Sequence, residues 1–158
     1  MSNHKSCFFF GHREADERVL PRLKQTVEQL VREEKVRYFY VGCYGGFDRI
    51  AAVAVKKVKE QYPEIILMMV LPYHPADRPV NKPDGFDGTY YPDGLEHVPK
   101  KYAIVRANRL MVDISDWLVC YVCHGASNSR NLLEYAKRRE DKGVLRIKNI
   151  YENGLGEI

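Results

Sequence analysis

Arg13, Asp48, the run Ser127-Asn128-Ser129-Arg130 and the histidines His12 and His124 are the residues whose types and placing could do chemistry, and each stands in or beside a glycine turn. The turns are Gly11-His12-Arg13-Glu14, Gly42-Cys43-Tyr44-Gly45-Gly46-Phe47-Asp48 and His124-Gly125-Ala126-Ser127-Asn128-Ser129-Arg130. Each follows a strand-like apolar run, and the second and third lead directly into helical patterns. Glycines at such a junction let the backbone turn sharply and leave amide N–H groups uncovered at a helix start, where anions bind. Three of them in one chain describe a pocket.

The chemistry open to each residue follows from its type. Arg13 could clamp a phosphate or carboxylate with its fixed fork, or stand as a surface arginine. Ser127, Asn128, Ser129 and Arg130 could each cap a helix or touch a ligand, and a cap needs only one of them. Asp48, in the first turn of its helix, could favour the helix dipole or hold a ribose hydroxyl. His12 and His124, at the ends of two strands expected to be neighbours, could form an acid–base pair or make ordinary polar contacts. Asp84-Gly85-Phe86-Asp87-Gly88 is a poor calcium loop, because the alternating Asp/Asn ligands and the closing Glu are missing, and no metal is expected. Cys120 and Cys123 have half-site spacing, but on a strand they point to opposite faces.

Strands and helices must position these residues. Residues 6–10 read as a short buried strand, and Leu20, Leu23, Val27, Leu30 and Val31 as one face of a helix whose start Pro21 leaves open. Residues 37–41 read as a second strand; Phe47, Ile50, Ala51, Ala54, Val55 and Val58 form the next apolar stripe, closed by Pro63. Ile65 to Leu71 is wholly apolar, as in a parallel strand covered on both sides. Residues 72–97, rich in Pro, Gly and Tyr, read as a long structureless lid or binding loop whose tyrosines could stack on a base or pack the loop down. A helix ending near Asp113, a strand over 117–123, a helix over 128–142 and a last strand over 144–147 follow; the tail after Asn149 reads as peripheral. The alternation predicts a Rossmann-like, three-layer α/β sandwich with a mostly parallel five-stranded sheet in the order 3-2-1-4-5.

The 158 residues are most simply one domain, 45% hydrophobic and 29% charged, with a formal charge of +4. This fits an anionic small ligand or weak attraction to nucleic acid, and no Lys/Arg run is dense enough to favour the latter. No signal peptide is expected, and no apolar run approaches the roughly 18 residues of a membrane span. The expectation is a cytoplasmic protein whose four cysteines are thiols.

Cys-Phe-Phe-Phe-Gly-His-Arg (7–13), Gly-Cys-Tyr-Gly-Gly-Phe-Asp (42–48), Tyr-Pro-Glu-Ile (62–65), Asn-Arg-Leu-Met-Val-Asp-Ile-Ser-Asp (108–116) and Asn-Leu-Leu-Glu-Tyr-Ala-Lys (131–137) together resemble the YpsA-like (DUF1273) branch of the SLOG superfamily. The resemblance implies a Rossmann-like domain that binds nucleotides or nucleotide-derived ligands. It implies relatedness to the lysine decarboxylase-like hydrolases and to the DNA-processing DprA proteins. Carried over, Gly11, His12 and Arg13 form the first ligand-facing turn, Gly42, Gly45, Gly46 and Asp48 the second, and Gly125 with Ser127, Asn128, Ser129 and Arg130 the third. The third turn departs from the hydrolase pattern Pro-Gly-Gly-x-Gly-Thr-x-x-Glu, and its nearest acid, Glu134, lies two residues late.

The leading expectation is therefore a sensor or sequestering protein for a phosphorylated nucleotide derivative of NAD or ADP-ribose type, with the 72–97 loop over the base and no cofactor. The alternatives are an N-glycosidic hydrolase of a nucleoside monophosphate, drawing its carboxylate from Asp48, Asp116 or Glu134, and DprA-like nucleic-acid binding. The resemblance further implies a homo-oligomer, with the helices after the first and fourth strands as candidate surfaces, in a bacterial or phage setting.

Overall fold

A computed structural model describes residues 4–43, 45–123 and 128–151. The elements in chain order are β1 (Lys5–Gly11), α1 (Leu20–Glu34), β2 (Val36–Val41), α2 (Gly46–Lys59), β3 (Ile66–Val70), β4 (Gly88–Tyr90), α3 (Ala103–Ile114), β5 (Trp117–Tyr121), α4 (Asn128–Asp141) and β6 (Arg146–Asn149). The six strands form one sheet in the order β4-β3-β2-β1-β5-β6, every pair parallel. This is the expected Rossmann-like α/β fold, with one strand more than the sequence suggested.

The alternation of β1 explains both layers. Cys7 and Phe9 join the core under α1 and α2, with Val27, Leu30, Phe47 and Val55. Phe8 and Phe10 face the other way, into the core with Met111 of α3 and Leu132 and Leu133 of α4. A strand buried on both faces reads as a continuous apolar run, which is why Cys7-Phe8-Phe9-Phe10 carries no polar residue. All six stripe residues of α2 are buried. Pro21 falls in the first turn of α1, where no helical donor is needed, after a 3-10 turn at Glu17–Val19 capped by the Asp16 side chain.

Three parts of the sequence reading are corrected. The 72–97 segment is not structureless: Gly88–Tyr90 is an edge strand, followed by a 3-10 turn at Leu95–His97. Asp87 anchors it, its amide donating to the Leu67 carbonyl and its carboxylate accepting from the Leu67 amide, both at 2.8 Å, with Lys59 Nζ 3.3 Å away. The tyrosines of this segment pack on the protein itself: Tyr90 edge-on to Tyr40, Tyr91 against His74, and Tyr73 beneath Arg78.

The last strand begins at Arg146, two residues later than expected, because Gly143 at φ +78° and the two residues after it turn the chain out of α4. An edge strand has one neighbour and needs no apolar run, so the strand is polar while Leu145 before it is buried. The stretch after Asn149 is not peripheral at its start. Ile150 is fully buried, and the Asn149 side chain donates to the Val122 carbonyl and accepts from the Val122 amide, extending the pairing past the end of β5.

Candidate functional site

The sheet order reverses direction between β1 and β5, since chain growth runs from β1 outward to β4 and then restarts at β5. Parallel strands require each connecting helix to run back, so helix N-termini collect at the carboxyl edge of the sheet. A crevice of about 210 Å³ opens at this edge, on the α3 and α4 side. Its floor is the end of β1, from Phe8 to Gly11, with Val70 at the end of β3 and Pro72 beyond it. Arg13, Gly42 and Asp48 form one wall; Ile104, Val105, Asn108 and Arg109 of α3 face Ser129, Asn131 and Leu132 of α4.

Five of the residues singled out by sequence, Gly11, Arg13, Gly42, Asp48 and Ser129, thus meet in one place. Asp48 leans back over Gly42: a Cβ built there would stand 2.9 Å from the Asp48 Oδ2. The guanidinium of Arg13 makes no hydrogen bond or ion pair among the described residues, which leaves its donors for a ligand. Asp48 is the one carboxylate among the described residues lining the crevice.

The remaining candidates hold the site together or lie away from it. Gly46 donates its amide to the Arg13 carbonyl at 2.9 Å, fastening the start of α2 to the first turn. A Cβ at position 46 would fall 2.5 Å from that carbonyl oxygen and 2.7 Å from the Ala15 oxygen. Both are backbone atoms that cannot swing aside. Gly46→Ala is expected to cost about 1–3 kcal/mol, as overpacking does; thermal unfolding that leaves Tm unchanged would contradict this docking. Gly45 is the cap residue of α2 and lies against the Arg13 side chain.

His12 Nε2 accepts the Cys123 amide at 2.8 Å, so its ring joins the first turn to the segment leaving β5. Arg130 pairs with Glu134 along α4 at 3.5 Å, and neither lines the crevice. Asp116 sits at the opposite edge of the sheet, before β5, where it accepts the Ser6 amide at 2.9 Å. Asn128 begins α4. His124, Gly125 and Ser127 lie outside the described residues.

Sequence reasoning assigned the cover of the site to the 72–97 segment, of which only Pro72 lines the crevice. That wall is built by α3 instead, and Arg109 is the functional-type residue that was missed. It is held from behind: its guanidinium lies 4.8 Å from the centre of the Tyr135 ring. The Tyr135 hydroxyl donates to Asp113 Oδ1 at 2.6 Å, and Arg139 closes the group, its Nε 3.6 Å from the same oxygen. The hydrogen bond to Asp113, with burial second, holds the Tyr135 phenol above its ordinary pKa, so it stays a neutral donor. No sequence signal set Arg109 apart from Arg106: Arg109 and Asp113 belong to one stretch of the resemblance and Tyr135 to another, and the folded contact alone joins them.

Fold and crevice define the class: a Rossmann-like α/β domain with its pocket at the carboxyl ends of β1, β2 and β3. No known family profile and no curated protein sequence matches this chain. Among solved structures, the chain is similar to the molybdenum cofactor binding protein of the phototrophic bacterium Rippkaea orientalis, with TM-score 0.60 and 16% identity over 98% of this chain and 83% of that one. It is also similar to DNA processing protein A (DprA) of Streptococcus pneumoniae, with TM-score 0.62 and 14% identity over 98% of this chain. The chain spans only 62% of that DprA chain. At such identities the likeness is one of fold. Among the described residues, no helix is long and apolar enough to cross a membrane.

Proposed function

We propose that this chain binds a phosphorylated nucleotide or nucleotide-derived signal, of NAD or ADP-ribose type, and acts as a sensor or sequestering protein of SLOG type. The observation that carries this reading is the meeting of Arg13 from the first turn, Asp48 from the start of α2 and Ser129 from the start of α4 in one crevice at the strand ends. Arg13 and the start of α4 supply anion-binding donors. Asp48 accepts from a ribose hydroxyl, and Ile104, Val105 and Pro72 give the base apolar walls. A cofactor binding protein among the similar folds agrees coarsely with a small phosphorylated ligand. Association of copies through α1 and α4 belongs to the same reading.

Native mass spectrometry of the purified protein, before and after mild denaturation, tests it. A retained nucleotide mass that is released on unfolding supports the reading. A protein that is empty, and stays empty after incubation with AMP, ADP and ADP-ribose, contradicts it.

The position of Asp48 keeps a hydrolase as a second reading, since a carboxylate beside a bound ribose can stabilise an oxocarbenium-like transition state. Sequestration predicts no free adenine after prolonged incubation with AMP or ADP-ribose. Release that Asp48→Asn cuts by about 100-fold or more, the scale of a lost general acid or base, moves the assignment to the hydrolase. The fold shared with DprA and the charge of +4 motivate a third comparison, with single-stranded DNA. Binding that falls steeply in log affinity against log salt would favour it.

A further inference from the structure

We infer that the ligand carries two linked phosphates, and that Arg109 is the residue that reads the second. This rests on the nucleotide-binding reading above, whose NAD- or ADP-ribose-type ligands are diphosphates, and deepens it by assigning the second phosphate to a residue of α3. Two arginines line the crevice, and they come from different walls. Arg13 stands on the turn after β1, packed along Gly45 and so tied to the α2 side. Arg109 projects from α3 on the opposite layer, backed by the Tyr135 ring. Neither guanidinium makes a hydrogen bond or ion pair among the described residues, and what sets them apart from the equally unpaired Arg106 is that both line the crevice.

Two arginines on opposite walls outnumber Asp48, the one carboxylate lining the crevice among the described residues, so the crevice keeps an excess positive charge for an anion to answer. A monophosphate against Arg13 and the start of α4 leaves Arg109 unanswered. A diphosphate answers both, its first phosphate at Arg13 and its second at Arg109. The ring behind Arg109 restricts the guanidinium without using up its N–H donors, because a cation–π contact engages the face of the fork and leaves the edges free. Tyr135 is thus a positioning residue: bonded to Asp113, it carries the orientation of α4 into the placing of an α3 side chain.

Calorimetric titration of the full chain with AMP, ADP and ADP-ribose at one fixed salt concentration tests the inference. Wild type should bind ADP and ADP-ribose at least 10-fold more tightly than AMP. Arg109→Ala should remove that preference while leaving AMP affinity within about 2-fold, and Tyr135→Leu should weaken the preference in the same direction. Tyr135→Phe keeps the ring and should retain most of it. Arg106→Ala removes an exposed charge of α3 that does not line the crevice, and should leave the ADP to AMP ratio unchanged.

Equal affinity of wild type for AMP and ADP, or an Arg109→Ala loss of the same factor for both, overturns the inference while the nucleotide-binding reading stands. A loss of preference in Arg106→Ala matching that in Arg109→Ala also overturns it, by reducing the effect to net charge. Failure of wild type to bind any of the three overturns both. Circular dichroism melts of the variants separate loss of fold from loss of the preference.

Discussion

Replacing Phe47 with alanine should destabilise the protein by about 3–5 kcal/mol, the usual loss for emptying a buried phenylalanine site. The ring is fully buried in the first turn of α2 and lies nearly parallel to Tyr121, at 11° and 6.2 Å between centroids. It also lies on Gly11, so close that a Cβ there would come within 2.6 Å of the Phe47 Cγ. The cavity left by alanine would border β1, β5 and α2 together, and rigid backbone on several sides limits how far it can collapse. Urea unfolding measures the change. A shift below 1 kcal/mol would mean that the site repacks freely and that the start of α2 is not clamped in this way.

Replacing Arg13 with alanine should weaken nucleotide binding by about 10- to 100-fold, the worth of one or two hydrogen bonds from a charged donor, with little change in Tm. The stability half of that statement follows from exposure, since the side chain is solvent-accessible and the hydrogen bond to Gly46 uses the main-chain carbonyl, which alanine retains. Titration with ADP-ribose beside a thermal melt separates the two quantities. Unchanged affinity would remove Arg13 from the site, and a large fall in Tm would make it a structural residue.

These two substitutions divide the glycine-rich turns into clamp and contact, which residue types alone could not do. By type and position alone, Gly11, Gly45 and Gly46 offer uncovered amides for phosphate. At Gly46 the structure spends the amide on the Arg13 carbonyl, and at Gly11 the missing Cβ makes room for Phe47. Packing brings the first turn and the starts of α2 and α4 together, and Arg13, Asp48 and Ser129 are what they present. His12 is a second example, a titratable type at a strand end whose ring nitrogen is committed to the Cys123 amide.

The strands and helices were legible where periodicity is strong. Phe8 and Phe9 announce a doubly covered strand, and the stripe from Phe47 to Val58 announces a helix with one buried face. The edge strand Gly88–Tyr90 was not legible, because its pairing depends on the Asp87 side chain meeting the Leu67 backbone far back in the chain. Arg109 was missed for a related reason. On α3 it reads as an ordinary polar position, and only the folded contact with Tyr135 and the shared crevice set it apart from Arg106.

On the proposed function, the crevice at the carboxyl ends of β1, β2 and β3 binds a phosphorylated nucleotide. Proton–nitrogen NMR spectra recorded during titration with ADP-ribose test it most directly, since they show where the ligand sits as well as whether it binds. Saturable shifts should concentrate at Gly11, Arg13, Gly42, Asp48, Asn108, Arg109 and Ser129, with the β4 edge and the amino-terminal edge near Asp116 unmoved. Saturable shifts centred away from those residues, or none at millimolar ligand, would contradict it.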